Sequence, residues 1–358
     1  MELFESLFDI AYLIMVIALG FRLLFEDSKT ARLFGIMAIV LGAGDAFHLI
    51  PRIMAHFTEN GFEKYAAALS WGQFITSITM TVFYVLFYIY YKKLTGKSSK
   101  VRDLLIFGLA LARVVLVLLP QNSWGVLPGN YTFSLLRNIP FTIMGVLLVI
   151  WTWQERKRPE LRYTGILILL SFLFYLPVVL WADKYPLVGA LMMPKTVAYL
   201  LLVVFGFRSF VKSFTVNNIL KDAIVFLVMG MAGGVFYREF TKFNDFTGLT
   251  TLRLIHLHSI ALGTLALTIV WLALKNTDQA QLQQKFQKPL FAWIGGLYIT
   301  IIAMFLRGVS QVISNGYLPF QDAALSGIAG IGHLTLAHGL LFIFVRLAKK
   351  ESDLSTAK

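Results

Sequence analysis

The chain has 358 residues, of which 58% are hydrophobic and 14% charged, with 31 Phe, no Cys and a formal net charge of +13. This composition excludes a soluble globular domain. The missing cysteines exclude disulfides, thiolate metal sites and cysteine nucleophiles. The basic excess is explained by membrane topology and by contact with anionic lipid head groups, so no nucleic-acid partner is expected.

Eleven apolar segments of about 15 to 23 residues follow one another, each long enough to cross most or all of a bilayer core as a helix. In chain order they run from Leu7 to Phe25, Leu33 to Ile53, Leu69 to Tyr91, Leu104 to Leu119, Ile139 to Trp153, Gly165 to Trp181, Leu187 to Phe207, Ala223 to Tyr237, Leu252 to Leu274, Leu290 to Phe305 and Ala323 to Val345. The predicted fold is an all-α, polytopic membrane protein. Acidic residues precede the first segment and no small-residue cleavage pattern follows it, so it reads as a retained span and not a signal peptide.

Placing the N-terminus outside puts 22 of the 32 basic residues on the cytoplasmic side, Lys92, Lys93, Lys97, Lys100 and Arg156 to Arg158 among them. This asymmetry predicts N-out, C-in topology, in a plasma membrane of bacterial type.

The connection RSFVKSFTVNNILKD, between the seventh and eighth segments, is turn-rich at Asn217-Asn218 and divides the chain. The expected modules are seven helices in residues 1–215, four helices in 216–350 and a cytoplasmic tail in 351–358. Between Pro120 and Asn138, Gly125, Pro128 and Gly129 mark a long outer loop that reads as a lid rather than a domain.

In the second apolar segment, LGAGDAFHLIPRI sets Asp45, His48 and Arg52 at spacings of three and four, on one helical face. The third offers Ser70, Gln73, Ser77 and Thr81 on one face, the fourth contributes Arg113, the fifth opens with Arg137 and Asn138, and Lys195 follows Pro194 in the seventh. Threaded in the N-out sense, these groups fall in the outer half and suggest an outward-facing polar cavity. Asp45 and Arg113 come at similar depth, which suggests an ion pair. The functional alternative is that Asp45, His48, Arg52, Ser77, Arg113 and Lys195 hold a small anionic or lipid-like ligand. Lys195 invites comparison with retinal proteins, but the acidic partner expected in the third helix is missing.

In the ninth segment, RLIHLHSIALGT places Arg253, His256, Ser259 and Gly263 on one stripe, with His258 nearly opposite His256. His256 is therefore the predicted inward residue, and His333 in the last segment is its closest partner in depth. Two histidines from different helices of a four-helix bundle can ligate a haem iron axially. The glycines at 230, 233, 234, 295, 296, 327, 330 and 332 and Ala232 would leave room for a macrocycle. Arg238, Arg253 and Arg307 could meet its propionates, unless Glu239, Asp245 and Asp322 satisfy them instead. A haem b centre for electron transfer or sensing, working with a redox partner, is one expectation. A non-haem transition metal on His256, His333 and His338 is another, and structural histidines with no cofactor are a third.

GGVFYREFTKFNDFTGLTTLRLIHLHSIALG, FLRGVSQV and ALSGIAGIGHLTLAHGL together resemble the membrane family called domain of unknown function 2871 over roughly Asn218 to Lys350. The resemblance implies a four-helix membrane fold and carries no activity. The R-x-x-H pattern at Arg253–His256 is similar to that around the low-spin haem ligand of haem–copper oxidases. A membrane-embedded metal-dependent hydrolase resembling alkaline ceramidases would need a serine, an aspartate and three histidines, and the only histidines of residues 1–215 are His48 and His56. No nucleotide-binding, nucleophile-elbow or zincin motif occurs, so enzymatic activity is left open and ATP-driven transport is not expected.

Overall fold

The computed structural model describes residues 2–182, 184–314 and 319–356. It is 85% helical, with no strand among the described residues. The chain divides into two compact units, residues 1–212 and 213–358.

The first unit holds seven long helices: α1 (Glu2–Leu24), α2 (Lys29–His56), α3 (Ala66–Thr95), α4 (Lys100–Leu118), α5 (Tyr131–Gln154), α6 (Thr164–Trp181) and α7 (Met192–Phe210). Local chemistry sets their ends. Ser28, Ser99 and Asn130 accept a backbone N–H from the first turns of α2, α4 and α5, supplying an acceptor to donors that the helix leaves unpaired. Gly96 closes α3 in the left-handed region at φ 70°, its N–H returning to the Lys92 carbonyl, a conformation glycine adopts without a Cβ penalty.

Each helix packs on its neighbours in the chain, and α7 returns to α1 and α2, closing the ring. The core of this unit is aromatic. Phe83, Tyr84, Phe87, Tyr88, Tyr90 and Tyr91 of α3 are all essentially inaccessible, while Leu104, Leu111 and Val115 of α4 are exposed, as befits side chains whose solvent is lipid. Among the described residues ten helices are long and apolar enough to cross a membrane. The eleventh expected span, α4, forms where its sequence places it but falls outside that set. Arg102, Asp103 and Arg113 within 19 residues dilute its hydropathy.

The second unit holds α8 (Val216–Phe243), α9 (Leu252–Leu274), α10 (Gln279–Ile313) and α11 (Pro319–Thr356). Helix α8 packs on α9, α9 on α10 and α10 on α11. A π-helical stretch, Ser259–Leu265, interrupts α9. Small residues let these helices approach closely. A Cβ at Gly296 would stand 2.7 Å from the Gly332 carbonyl oxygen, and one at Gly332 would stand 2.5 Å from Thr300 Oγ1. The segment expected as a tail continues α11 as far as Thr356, and residues 357 and 358 lie outside the described residues.

Candidate functional site

Within the first unit, α2, α3, α4, α5, α6 and α7 enclose a cavity of about 520 Å³. Its position follows from local backbone features. Helix α3 meets α2 at Gly72, where any Cβ would collide with the backbone of Phe47 and His48, and His48 Nδ1 lies 3.3 Å from the Leu69 carbonyl oxygen. Pro51, one turn beyond, has no N–H to donate to that stretch of α2.

The segment following α4 closes one side of the cavity. Asn122 Nδ2 donates to the carbonyls of Leu116 and Leu119 at 2.7 and 2.8 Å. Trp124 Nε1 donates to Val117, and Gly125 N–H donates to Ser70 Oγ on α3. The loop is thereby tied to α3 and α4, and Asn122, Trp124 and Asn130 become cavity wall.

The lining is strongly basic. His48, Arg52, Arg113, Arg137 and Lys195 all contribute to it, and among the described residues no Asp or Glu does. Arg52 is neutralised from outside the lining, its Nε donating to Glu5 Oε1 at 2.5 Å. Arg137 donates to Asn122 Oδ1 at 2.7 Å and lies 4.6 Å over the Trp124 ring. Asn138 Oδ1 accepts from Tyr175 Oη at 2.8 Å. Lys195 Nζ stands 4.8 Å from the Tyr175 ring centroid and interacts through space with Asp45.

Arg113 is the unusual member. It is 3% exposed, its guanidinium carbon sits 3.5 Å from the Phe141 ring centroid, and its Nε and Nη1 have no hydrogen-bond partner. A guanidinium carries five N–H donors and is always charged, so this group is desolvated, held by an aromatic face and short of acceptors.

Of the ligand residues expected from sequence, His48, Arg52, Ser77, Arg113 and Lys195 meet in this cavity. Asp45 does not line it. It accepts a hydrogen bond from Tyr12 Oη of α1 at 2.6 Å. The expected Asp45–Arg113 ion pair is not formed, because α1 presents a buried phenol to Asp45 while Arg113 turns to Phe141. Ser77 Oγ donates to the Gln73 carbonyl of its own helix. Sequence reading missed Tyr12, Phe141 and Tyr175. Nothing in the local pattern signals these three.

In the second unit the expected pair His256–His333 is not formed. His256 is exposed, and its Nδ1 lies 3.0 Å from the Gly230 carbonyl of α8. The ring that meets His333 is His258, with Nε2 to Nε2 at 3.4 Å. His338, the third expected metal ligand, is exposed and lies against Phe342. Ser259 and Gly263 of the predicted stripe are buried, whereas Arg253 and His256 are exposed. Arg253, His256 and His258 lie in the regular α-helical segment Leu252–His258, so their facing is set by how this helix is rotated against its neighbours, while the π-helical stretch Ser259–Leu265 breaks the 3.6-residue period only beyond them.

Two of the three arginines expected to meet propionates have acidic partners. Arg238 Nε donates to Glu239 at 2.8 Å, and Arg307 makes two hydrogen bonds to Asp322 at 2.6 and 2.9 Å. Nor do the glycines all leave room. Gly230, Gly233, Gly234, Gly296 and Gly332 face atoms of a neighbouring helix, while Gly295, Gly327 and Gly330 face open space.

Residues 216–350 match the family described as "Protein of unknown function (DUF2871)". No curated protein and no solved structure matches the chain.

Proposed function

We propose that this polytopic membrane protein is a non-redox receptor or transporter whose seven-helix unit binds a small organic anion or an anionic lipid head group around Arg113. The observation that carries the reading is the charge balance of the cavity: among the described residues five basic or imidazole side chains line it and no carboxylate does, and Arg113 keeps two buried N–H-bearing nitrogens without acceptors. An oxyanion such as a carboxylate or phosphate accepts charge-assisted hydrogen bonds from a guanidinium. Gln73, Asn138 and Ser134 provide further polar contacts, while Val178, Val179 and Met192 give the same cavity an apolar side, which suits a ligand carrying a hydrocarbon part.

The reading includes N-out, C-in orientation in a bacterial-type plasma membrane. At the end of the bundle away from the lid, Lys97 of the α3–α4 connection and Arg158 of the α5–α6 connection both bind Glu155, in the lysine- and arginine-rich connections that the positive-inside rule assigns to the cytoplasm. The cavity then belongs to the outer half.

The test is thermal unfolding of detergent-purified protein with amphiphiles that share a decyl chain and carry phosphate, carboxylate, trimethylammonium or hydroxyl heads, alongside inorganic phosphate and acetate. A ligand that binds only the folded state at 100 times its Kd adds about 2.7 kcal/mol. Stabilisation by the anionic heads, lost in Arg113→Met and Lys195→Gln, is expected, and the short anions separate a free anion from a lipid. Equal responses to all heads, or a response unchanged in both variants, would end the proposal.

A further inference from the structure

The contact between His258 of α9 and His333 of α11 has an electronic consequence. Each ring places Nδ1 beside a backbone carbonyl one turn earlier, His258 at 2.9 Å from Leu254 O and His333 at 2.8 Å from Ala329 O. A carbonyl oxygen can only accept, so Nδ1 carries the hydrogen in both rings. A neutral imidazole has one N–H, so both Nε2 atoms present lone pairs. Those lone pairs face one another at 3.4 Å, with the ring planes at 87°. Two acceptors at that separation repel unless a positive charge lies between them.

We infer that His258 and His333 form a two-imidazole site for a tetrahedral transition-metal ion of the zinc class. The spacing supports a metal over a shared proton. Zinc–nitrogen bonds of about 2.0–2.1 Å at the tetrahedral angle set two nitrogens roughly 3.3–3.4 Å apart, the separation found here, and a linear arrangement would need about 4 Å. Nitrogen-donor hydrogen bonds ordinarily close to about 2.7–3.2 Å. The Nδ1–H to carbonyl bonds are the second contacts that metal-ligating histidines commonly make, fixing tautomer and ring orientation. Both side chains are half-buried, which leaves positions for water. Among the described residues no third His, Cys, Asp or Glu joins the pair, so the site offers two protein ligands and an open remainder, and it is not a closed structural zinc centre. Helix α9 turns π-helical immediately after His258, an irregularity found often at functional positions.

The experiment uses the full chain, untagged and in detergent, stripped with chelator and titrated with Zn²⁺ by calorimetry and with Co²⁺ by absorption. One equivalent per chain at micromolar metal is expected, with the intense visible bands of tetrahedral cobalt. Both signals should be lost in His258→Gln and in His333→Gln and kept in His256→Gln and His338→Gln. If one variant fails to fold, the other together with the cobalt spectrum still decides. Absence of stoichiometric binding in the wild type, or binding that survives both His258→Gln and His333→Gln, overturns the assignment. So does an octahedral cobalt spectrum, or a nitrogen-15 NMR signature of one shared proton with no response to metal.

Discussion

Replacing Arg113 by Met should stabilise the ligand-free protein, the reverse of what most buried substitutions do. The reasoning starts from the two nitrogens, Nε and Nη1, that are buried without a partner. An unsatisfied buried donor costs about 1–3 kcal/mol, and more on a charged group, so the pair costs roughly 2–6 kcal/mol. Against this stands the Phe141 ring, 3.5 Å from the guanidinium carbon, and a desolvated cation–π contact returns about 2 kcal/mol. Met keeps most of the length and apolar contact of the arginine stem and removes both the cost and the aromatic attraction. The expected net gain is about 0–4 kcal/mol, which at about 2–4 °C per kcal/mol for a unit of this size is a rise in Tm of up to roughly 16 °C. The assay is thermal unfolding followed by size-exclusion chromatography in detergent, without ligand, on wild type, Arg113→Met, Phe141→Leu and the double variant. Phe141→Leu should destabilise the wild type by more than it destabilises Arg113→Met, because the ring has lost its cation. A fall in stability of 2 kcal/mol or more in Arg113→Met would refute the reasoning, since it would mean that the guanidinium is a satisfied structural element and not a ligand-binding group held at a cost.

Further outcomes follow from the second unit and from the end of the first unit that carries Glu155. Gly332→Val should destabilise by about 1–3 kcal/mol or more through overpacking, because the added carbons meet the backbone of Thr300 and Gly296. Gly327→Ala and Gly330→Ala, which face open space, should be neutral or slightly stabilising by helix propensity; equal losses at all three would contradict the packing described, and thermal unfolding reads the difference. Glu155 accepts a hydrogen bond from Lys97, which with Arg158 holds its carboxyl below the ordinary carboxylate range. A depressed folded value means the contribution is present above the unfolded value near 4.5 and fades as pH falls through the lower folded one. Glu155→Gln should therefore lower thermal stability at pH 7 and lose its effect in acid, and an effect that persists at low pH would assign the difference to packing.

The helices and their order were legible in the sequence because hydropathy over a span is a local property. Their polar first turns were not: behind the Asn130 cap α5 begins at Tyr131, ahead of the apolar segment expected from Ile139. The coincidence of His48, Arg52, Ser77, Arg113 and Lys195 was also legible, since residues at matching depth on consecutive antiparallel helices have few other places to go. The partners of those residues were not. Whether Asp45 meets Arg113 or Tyr12 depends on how α1, α2 and α4 rotate about their axes, which side-chain packing across the bundle settles. The choice between His256 and His258 fell the same way. A two-residue offset is nearly half a turn of α-helix, and both histidines lie on the regular turn Leu252–His258, so the rotation of that turn against its neighbours chose between them. Depth along the membrane is written in one dimension, so the sequence by itself determined it; rotation about the helix axis is a property of neighbours, and only the tertiary structure decided it.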